Sequence, residues 1–200
     1  MRITTYKQNG DSALQVQVLK AICGPTEDKT LIDLCCGSAP QTGQIAFKQK
    51  THVDAVYRDL VGGGEMIADD VIEFLKKSFG RKWDISISTD SIEHFRDKDA
   101  WEFVELTSKV ASKNIWFTPL GEFCMTLDPN NNDPDTHKSE WTPEKLEKAQ
   151  PGYWSFLAFP SWHPTLRNSK DEILGAFFFW HSKDPDADFA RVKSELKNLE

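Results

Sequence analysis

The chain has 200 residues, 24 Lys and Arg against 31 Asp and Glu, a formal net charge of -7 and four cysteines. That length suits one domain with a sizeable core, and the acidic balance argues against a surface that binds nucleic acid regardless of sequence. No run of about eighteen apolar residues predicts a membrane span, and the start, MRITTYKQNGDSALQVQVLK, lacks the apolar segment of a secretion signal.

Taken in chain order, Asp11 to Cys23 carries Leu14, Val18, Ala21 and Ile22 at helical spacing, and Gly24-Pro25 ends that helix. Leu31 to Leu34 reads as a short buried strand. Gln41 to Gln49, with Ile45, Ala46 and Phe47, reads as the helix after it, and Val53 to Tyr57 as a second strand. Gly62-Gly63-Gly64 is a loop. Glu65 to Ala68 predicts a third strand, Val71 to Phe79 a helix, Asp84 to Ser88 a strand, Asp99 to Ala111 a helix with one apolar stripe, and Ile115 to Thr118 a strand closed by Pro119. Short apolar strands alternating with helices predict an α/β layered fold with a mostly parallel sheet.

Beyond Leu120 the character changes. Residues 121 to 140 are rich in Asn, Asp and Pro. Thr142-Pro143 is a helix start with a threonine cap and proline in the first turn. Trp154 to Phe159 and Ile173 to Trp180 predict an antiparallel pair that closes the sheet, and the continuous FFFW argues for burial on both sheet faces. Asp188 to Leu199 predicts a terminal helix. The cysteines Cys23, Cys35, Cys36 and Cys124 match neither a zinc spacing nor a small disulfide framework, so reduced thiols in a cytoplasmic setting are expected.

The most informative stretch is LIDLCCGSAPQTG. An apolar strand ends at Asp33 and turns through small residues: Gly37 permits close backbone approach, and Ser38 and Ala39 keep the loop low. On these residues the chain resembles the class I S-adenosylmethionine-dependent methyltransferases. The similarity runs by motif from Leu14 to Leu120 and by element order to about Ser182. The family's acidic residue and alternating glycines fall on Asp33-Leu34-Cys35-Cys36-Gly37-Ser38-Ala39, with Cys35 and Ala39 in place of the outer glycines.

The resemblance implies a three-layer Rossmann-like fold with an antiparallel C-terminal strand, and S-adenosyl-L-methionine as cofactor. Asp33 would receive the methionine ammonium, and the Cys35, Gly37 and Ser38 turn would cradle the methionine portion. The ribose-binding acid would be Asp59 in VYRDL, with Tyr57 a competing register. Asp69 or Asp70 in IADDVIEF would face the adenine, one of them capping the next helix instead. WDISISTDSIEHF matches the fourth strand and its loop, placing Ser88 and Asp90 at the ligand edge with Glu93 and His94 following. Residues 121 to 153, within one domain spanning 1 to 200, would be an acceptor-side insertion.

Within that insertion His137 can exchange a proton with a hydroxyl or amine acceptor, His94 is a second candidate, and Trp141 a candidate apolar wall. Trp162 and His163 are the ligand candidates of the late aromatic group. Asp128, Asp133 and Asp135 fit no calcium loop, and no metal is assigned. TDSIEHF replaces the Asn/Asp-Pro-Pro-aromatic sequence of adenine and glutamine methylating enzymes. A small-molecule or saccharide acceptor, methylated at oxygen, is therefore expected. Two other classes stay open: a nucleotide-cofactor oxidoreductase, which NAD binding would reveal, and a noncatalytic assembly protein that retains the fold.

Overall fold

The computed structural model describes residues 1–121, 133, 136–168 and 170–199. In chain order the elements are β1 (Arg2–Thr5), α1 (Ser12–Cys23), β2 (Thr30–Leu34), β3 (Gln49–Asp54), β4 (Glu65–Ala68), α2 (Val71–Lys77), β5 (Trp83–Thr89), α3 (Asp97–Val110), β6 (Ala111–Leu120), α4 (Pro143–Ala149), β7 (Ser155–Arg167), β8 (Ile173–His181) and α5 (Pro185–Glu195). Among the described residues the eight strands form one sheet in the order β1-β7-β8-β6-β5-β2-β3-β4. β8 runs antiparallel to β6 and β7, and every other neighbouring pair is parallel.

Two apolar layers sandwich this sheet. One gathers Ile32, Leu34, Trp116, Phe177 and Phe179 under α2 and α3. The other gathers Leu31, Ile85, Ile87, Phe178 and Trp180 under α1 and α5. Period-two alternation divides FFFW between the faces, so each face receives aromatic area, and both are covered as parallel strands require. Trp162 belongs to this interior: it is buried, meets Phe117 at a tilt with centroids 4.9 Å apart, and lies so close to Gly10 that a Cβ there would fall 2.0 Å from its ring. It is core and not a ligand wall.

Capping follows the residue types. Asp11 accepts from the Leu14 amide at 2.7 Å, Asp70 from the Ile72 and Glu73 amides at 3.0 Å each, and Thr142 from the Lys145 amide at 3.1 Å with Pro143 in the first turn. The last helix starts at Pro185, capped by Asp184, and not at Asp188.

Three expectations need correction. β1 was not anticipated; its four residues pair with β7 at the sheet edge. The expected helix over 41–49 does not form. Only a single 3-10 turn, Thr42–Gln44, is present. Gly43 packs directly on the next loop: a Cβ there would lie 2.1 Å from the Val61 carbonyl oxygen. The second expected strand is displaced: β3 starts at Gln49 and ends at Asp54, because Thr51, His52 and Val53 are the residues that reach the interior.

Candidate functional site

β2 has β3 on one side and β5 on the other, so the chain's winding reverses there, and the carboxyl ends of these strands border a crevice. The turn that leaves β2 sets its floor. Cys35, Gly37 and Ala39 take left-handed backbone angles of φ 55°, 53° and 54°. The three places where the resembled motif has glycine thus share the conformation that favours glycine, although two of them carry a side chain. The turn is tied to β3: the Gly37 amide donates to Asp54 Oδ2 at 2.9 Å, and the Cys36 amide donates to the Val53 carbonyl at 3.2 Å.

The crevice holds about 620 Å³ and is lined by Cys35 from the β2 turn, Asp54 from β3, Asp70 and Val71 at the start of α2, and Asp90, His94 and Phe95 after β5. Asp54, Asp70 and Asp90 therefore reach one space from the ends of three successive strands, and Asp99 of α3 also lines it. Asp54 Oδ1 also accepts from the Val56 amide at 3.1 Å. Asp90 sits at φ 49°, its amide donating to the Phe117 carbonyl. Desolvation by the crevice walls pushes its carboxyl up to about 6, against a hydrogen-bonding influence from Gln15 that favours the charged form.

The residues anticipated from the sequence divide into two groups. Cys35, Asp70, Asp90 and His94 line the crevice, and Asp70 also caps α2. Gly37 shapes the turn but is not among the lining residues. Ser38 is exposed and holds the Val61 amide with its carbonyl. Ser88 is buried in a clamp, donating to the Leu34 carbonyl at 3.0 Å. Asp59 and Tyr57 are both exposed on the loop after β3, beyond the strand end. Asp69 points to Lys77 Nζ at 3.0 Å.

Asp33 is buried below the crevice. Its carboxylate accepts from the Thr42 hydroxyl and lies 3.0 Å from His52 Nδ1, in an interior where His52 is 0% exposed. It orients the turn from beneath. Trp141 is likewise buried, edge-on to Trp101, its indole N–H donating to Ser139 Oγ at 2.9 Å; it is not a crevice wall. Asp128, Asp135 and Cys124 lie outside the described residues, as does most of the segment 121 to 135.

Two residues were missed. In the sequence VDAVY looks like a strand centre, which puts Asp54 in a strand interior; an acid ending a strand one position after its last buried apolar residue is the signal. Glu93 was noted only as a neighbour of His94. In the structure Glu93, His94 and His137 bring one donor atom each to within 4.8 Å of one another. The two imidazoles meet edge to face with centroids 4.8 Å apart.

Glu93 accepts from the Thr118 hydroxyl at 2.9 Å, while its carbonyl takes the Lys138 and Ser139 amides, fixing the segment that carries His137. Burial, helped by the charge of Asp90, pushes Glu93 up to about 8; burial, helped by His94, pushes His137 down to about 4. One carboxyl and two imidazoles form a donor set that suits a first-row divalent cation.

No protein-family model matches the sequence, and no curated protein matches it. Solved structures do. The methyltransferase domain of bacterial CtHen1-CN is 18% identical over 85% of this chain and 96% of its own, with a TM-score of 0.54. The DhpI complex with S-adenosylhomocysteine is 14% identical over 87% of this chain and 86% of its own, with a TM-score of 0.55. A SAM-dependent methyltransferase from Archaeoglobus fulgidus is 16% identical over 87% of this chain and 95% of its own, with a TM-score of 0.56. At this level of identity the likeness is one of fold.

Proposed function

We propose that this chain, which has the Rossmann-like fold of the class I S-adenosylmethionine-dependent methyltransferases, transfers a methyl group from S-adenosylmethionine to a hydroxyl of a small-molecule or saccharide acceptor. The observation that carries the reading is the convergence of Asp54, Asp70 and Asp90 on one crevice at the strand ends flanking β2. Asp54, ending its strand, suits the ribose diol, since a carboxylate accepts two hydrogen bonds. Val71 and Phe95 offer apolar walls to the adenine, with Asp70 beside it. The sulfonium supplies its own electrophile, so the protein's work is to align acceptor oxygen and methyl carbon in line.

An oxygen acceptor must also lose its proton. His94 and His137 are the bases the sequence suggests. A base held near pKa 4 is poorly matched to a hydroxyl at neutral pH, however, whereas a neutral imidazole is a ready metal ligand. The clustering of Glu93 with both histidines favours a second reading of the same step. Here these three residues would hold a divalent cation, which when bound lowers the pKa of a coordinated hydroxyl.

The test is transfer of labelled methyl groups into a panel of hydroxylated metabolites and saccharides, with and without a chelator. Label in a hydroxyl compound supports the reading. Chelator sensitivity restored by added Mn²⁺, and lost in Glu93→Gln, selects the cation over the bare base. Tight cofactor binding with no transfer to any acceptor class would favour a noncatalytic protein, and NAD binding in its place an oxidoreductase.

A further inference from the structure

The two segments that bring His94 and His137 together each carry a cation just past the histidine. Arg96 follows His94 by two residues, and Lys138 follows His137 directly. Both cations line the crevice, as His94 does. The fold fixes the root of Lys138: its amide donates to the Glu93 carbonyl at 2.7 Å, so its side chain starts beside the cluster. Lys138 is half-buried, and Arg96 is exposed at the same opening.

Asp54, Asp70, Asp90 and Asp99 line that crevice too, yet Lys138 forms no ion pair with any of them among the described residues. Elsewhere the chain pairs its half-buried lysines: Lys145 with Asp97 at 2.7 Å and Lys113 with Asp188 at 2.8 Å. The three N–H donors of Lys138 are thus kept for a ligand. Two cations flanking a pair of imidazoles also oppose both a protonated base and a bound metal ion. An anion that enters with the acceptor removes that opposition. A phosphate monoester, at about -1.5 to -2 charges near pH 7, matches two cations, whereas a carboxylate brings one charge. The chain's net charge of -7 repels a polyanion at long range, which favours one phosphate on a small molecule over nucleic acid.

We infer that the acceptor is a small phosphate monoester with a free hydroxyl, its phosphate held by Lys138 and Arg96 so that the hydroxyl faces Glu93, His94 and His137. This rests on the methyl-transfer reading above and narrows its acceptor class. The hydroxyl oxygen bonds to the methyl carbon as the sulfur–methyl bond breaks, its electron pair going to sulfur. The hydroxyl proton passes to a histidine or to solvent, leaving a methyl ether and S-adenosylhomocysteine.

Transfer of labelled methyl from S-adenosylmethionine, with Mn²⁺ present, is measured into two matched pairs: glucose with glucose 6-phosphate, and adenosine with its 5′-monophosphate. A short oligoribonucleotide is the third arm. The pairs separate a sugar phosphate from a nucleotide as the source of the phosphate. In at least one pair the phosphorylated member is expected to have a kcat/KM about tenfold or more above its partner. Lys138→Gln should remove about tenfold of that through KM, leaving kcat and the unphosphorylated member within about twofold, and Lys138→Glu should remove more. Arg96→Gln, at the exposed position, should cost less. Thermal unfolding and S-adenosylhomocysteine affinity within about twofold of wild type check that the variants keep their fold and cofactor site.

Equal kcat/KM within both pairs, no label in either phosphorylated compound, an equal loss for both members of a pair in Lys138→Gln, or preference for the oligoribonucleotide would each overturn the assignment while leaving the cofactor reading standing. Wild type that does not bind S-adenosylhomocysteine overturns both together.

Discussion

The carboxylate of Asp54 accepts the Gly37 amide at 2.9 Å, so the acid that ends β3 and the glycine that turns the chain after β2 are one structural unit. The bond leaves Asp54 facing the crevice while locking the turn that forms its floor. Asp54→Asn is expected to weaken S-adenosylhomocysteine binding about tenfold to a hundredfold, the loss expected for a charged hydrogen bond of about 1.5–3 kcal/mol. Asp59→Asn, on the exposed loop, is expected to change affinity by less than about twofold. Calorimetry on the two variants checks both, and the reverse order would return the ribose contact to Asp59.

Asp33 should behave in the opposite way. It is 2% exposed and His52 0% exposed, so Asp33→Ala would leave the His52 ring and the Thr42 hydroxyl without their shared acceptor. A loss of roughly 1–3 kcal/mol in unfolding free energy for each buried donor left unsatisfied is expected. Whatever folded fraction remains should bind the cofactor nearly as tightly as wild type. Urea titration and calorimetry separate the two effects; a stable variant with poor cofactor affinity would put Asp33 back in the binding site.

Ala39 has a left-handed backbone at φ 54° and is 2% exposed. Ala39→Gly relieves about 1–2 kcal/mol of backbone strain but loses a buried methyl worth about 0.8 kcal/mol and adds chain entropy worth about 0.5–1 kcal/mol. Near-neutrality is the expected outcome. Ala100→Gly, four residues into α3 and 0% exposed, has no strain to relieve and should cost about 1.5–2 kcal/mol. Denaturant midpoints of the two variants make the comparison, and similar losses would contradict the strain argument.

Asp188 anchors α5 to the sheet. Burial works against its charge, but hydrogen bonds from Lys113 at 2.8 Å, Arg191 at 2.9 Å and the Trp180 indole at 2.9 Å outweigh it and hold the carboxyl below the usual range. A depressed carboxylate contributes stability that is fully present above the unfolded value, about 3.9, and is lost as pH falls through the lower folded value. Asp188→Asn should therefore be less stable at neutral pH and flatter in its stability between roughly pH 5 and 2. Urea unfolding across that range tests the sign; parallel curves for wild type and variant would contradict it.

The elements legible in the sequence are those whose burial follows a simple period. α1, α2 and α3 were placed within a few residues because Leu14, Val18 and Ile22, or Phe103, Val104 and Val110, repeat at helical spacing and are buried. β3 was misplaced because its interior is Thr51, His52 and Val53. A buried histidine looks polar until its partner, Asp33, is known, and that partner is nineteen positions away. The expected strand end lies three residues late, which drew attention to Asp59 and away from Asp54.

The missing helix at 41–49 was unreadable for a similar reason. There Gly43 packs against the backbone of Val61 and Gly62, a long-range contact that no local pattern announces. Of the residues named from the resemblance, Cys35, Asp70, Asp90 and His94 line the crevice. Glu93 is not singled out in the sequence, because only the three-dimensional structure brings His137 beside His94.

The crevice beside β2 is the proposed adenosyl site. A crystal structure with S-adenosylhomocysteine tests that most directly. The expected complex has both ribose hydroxyls on the Asp54 carboxylate and the adenine between Val71 and Phe95. A nucleoside bound elsewhere on the molecule, with this crevice left to solvent, would contradict it.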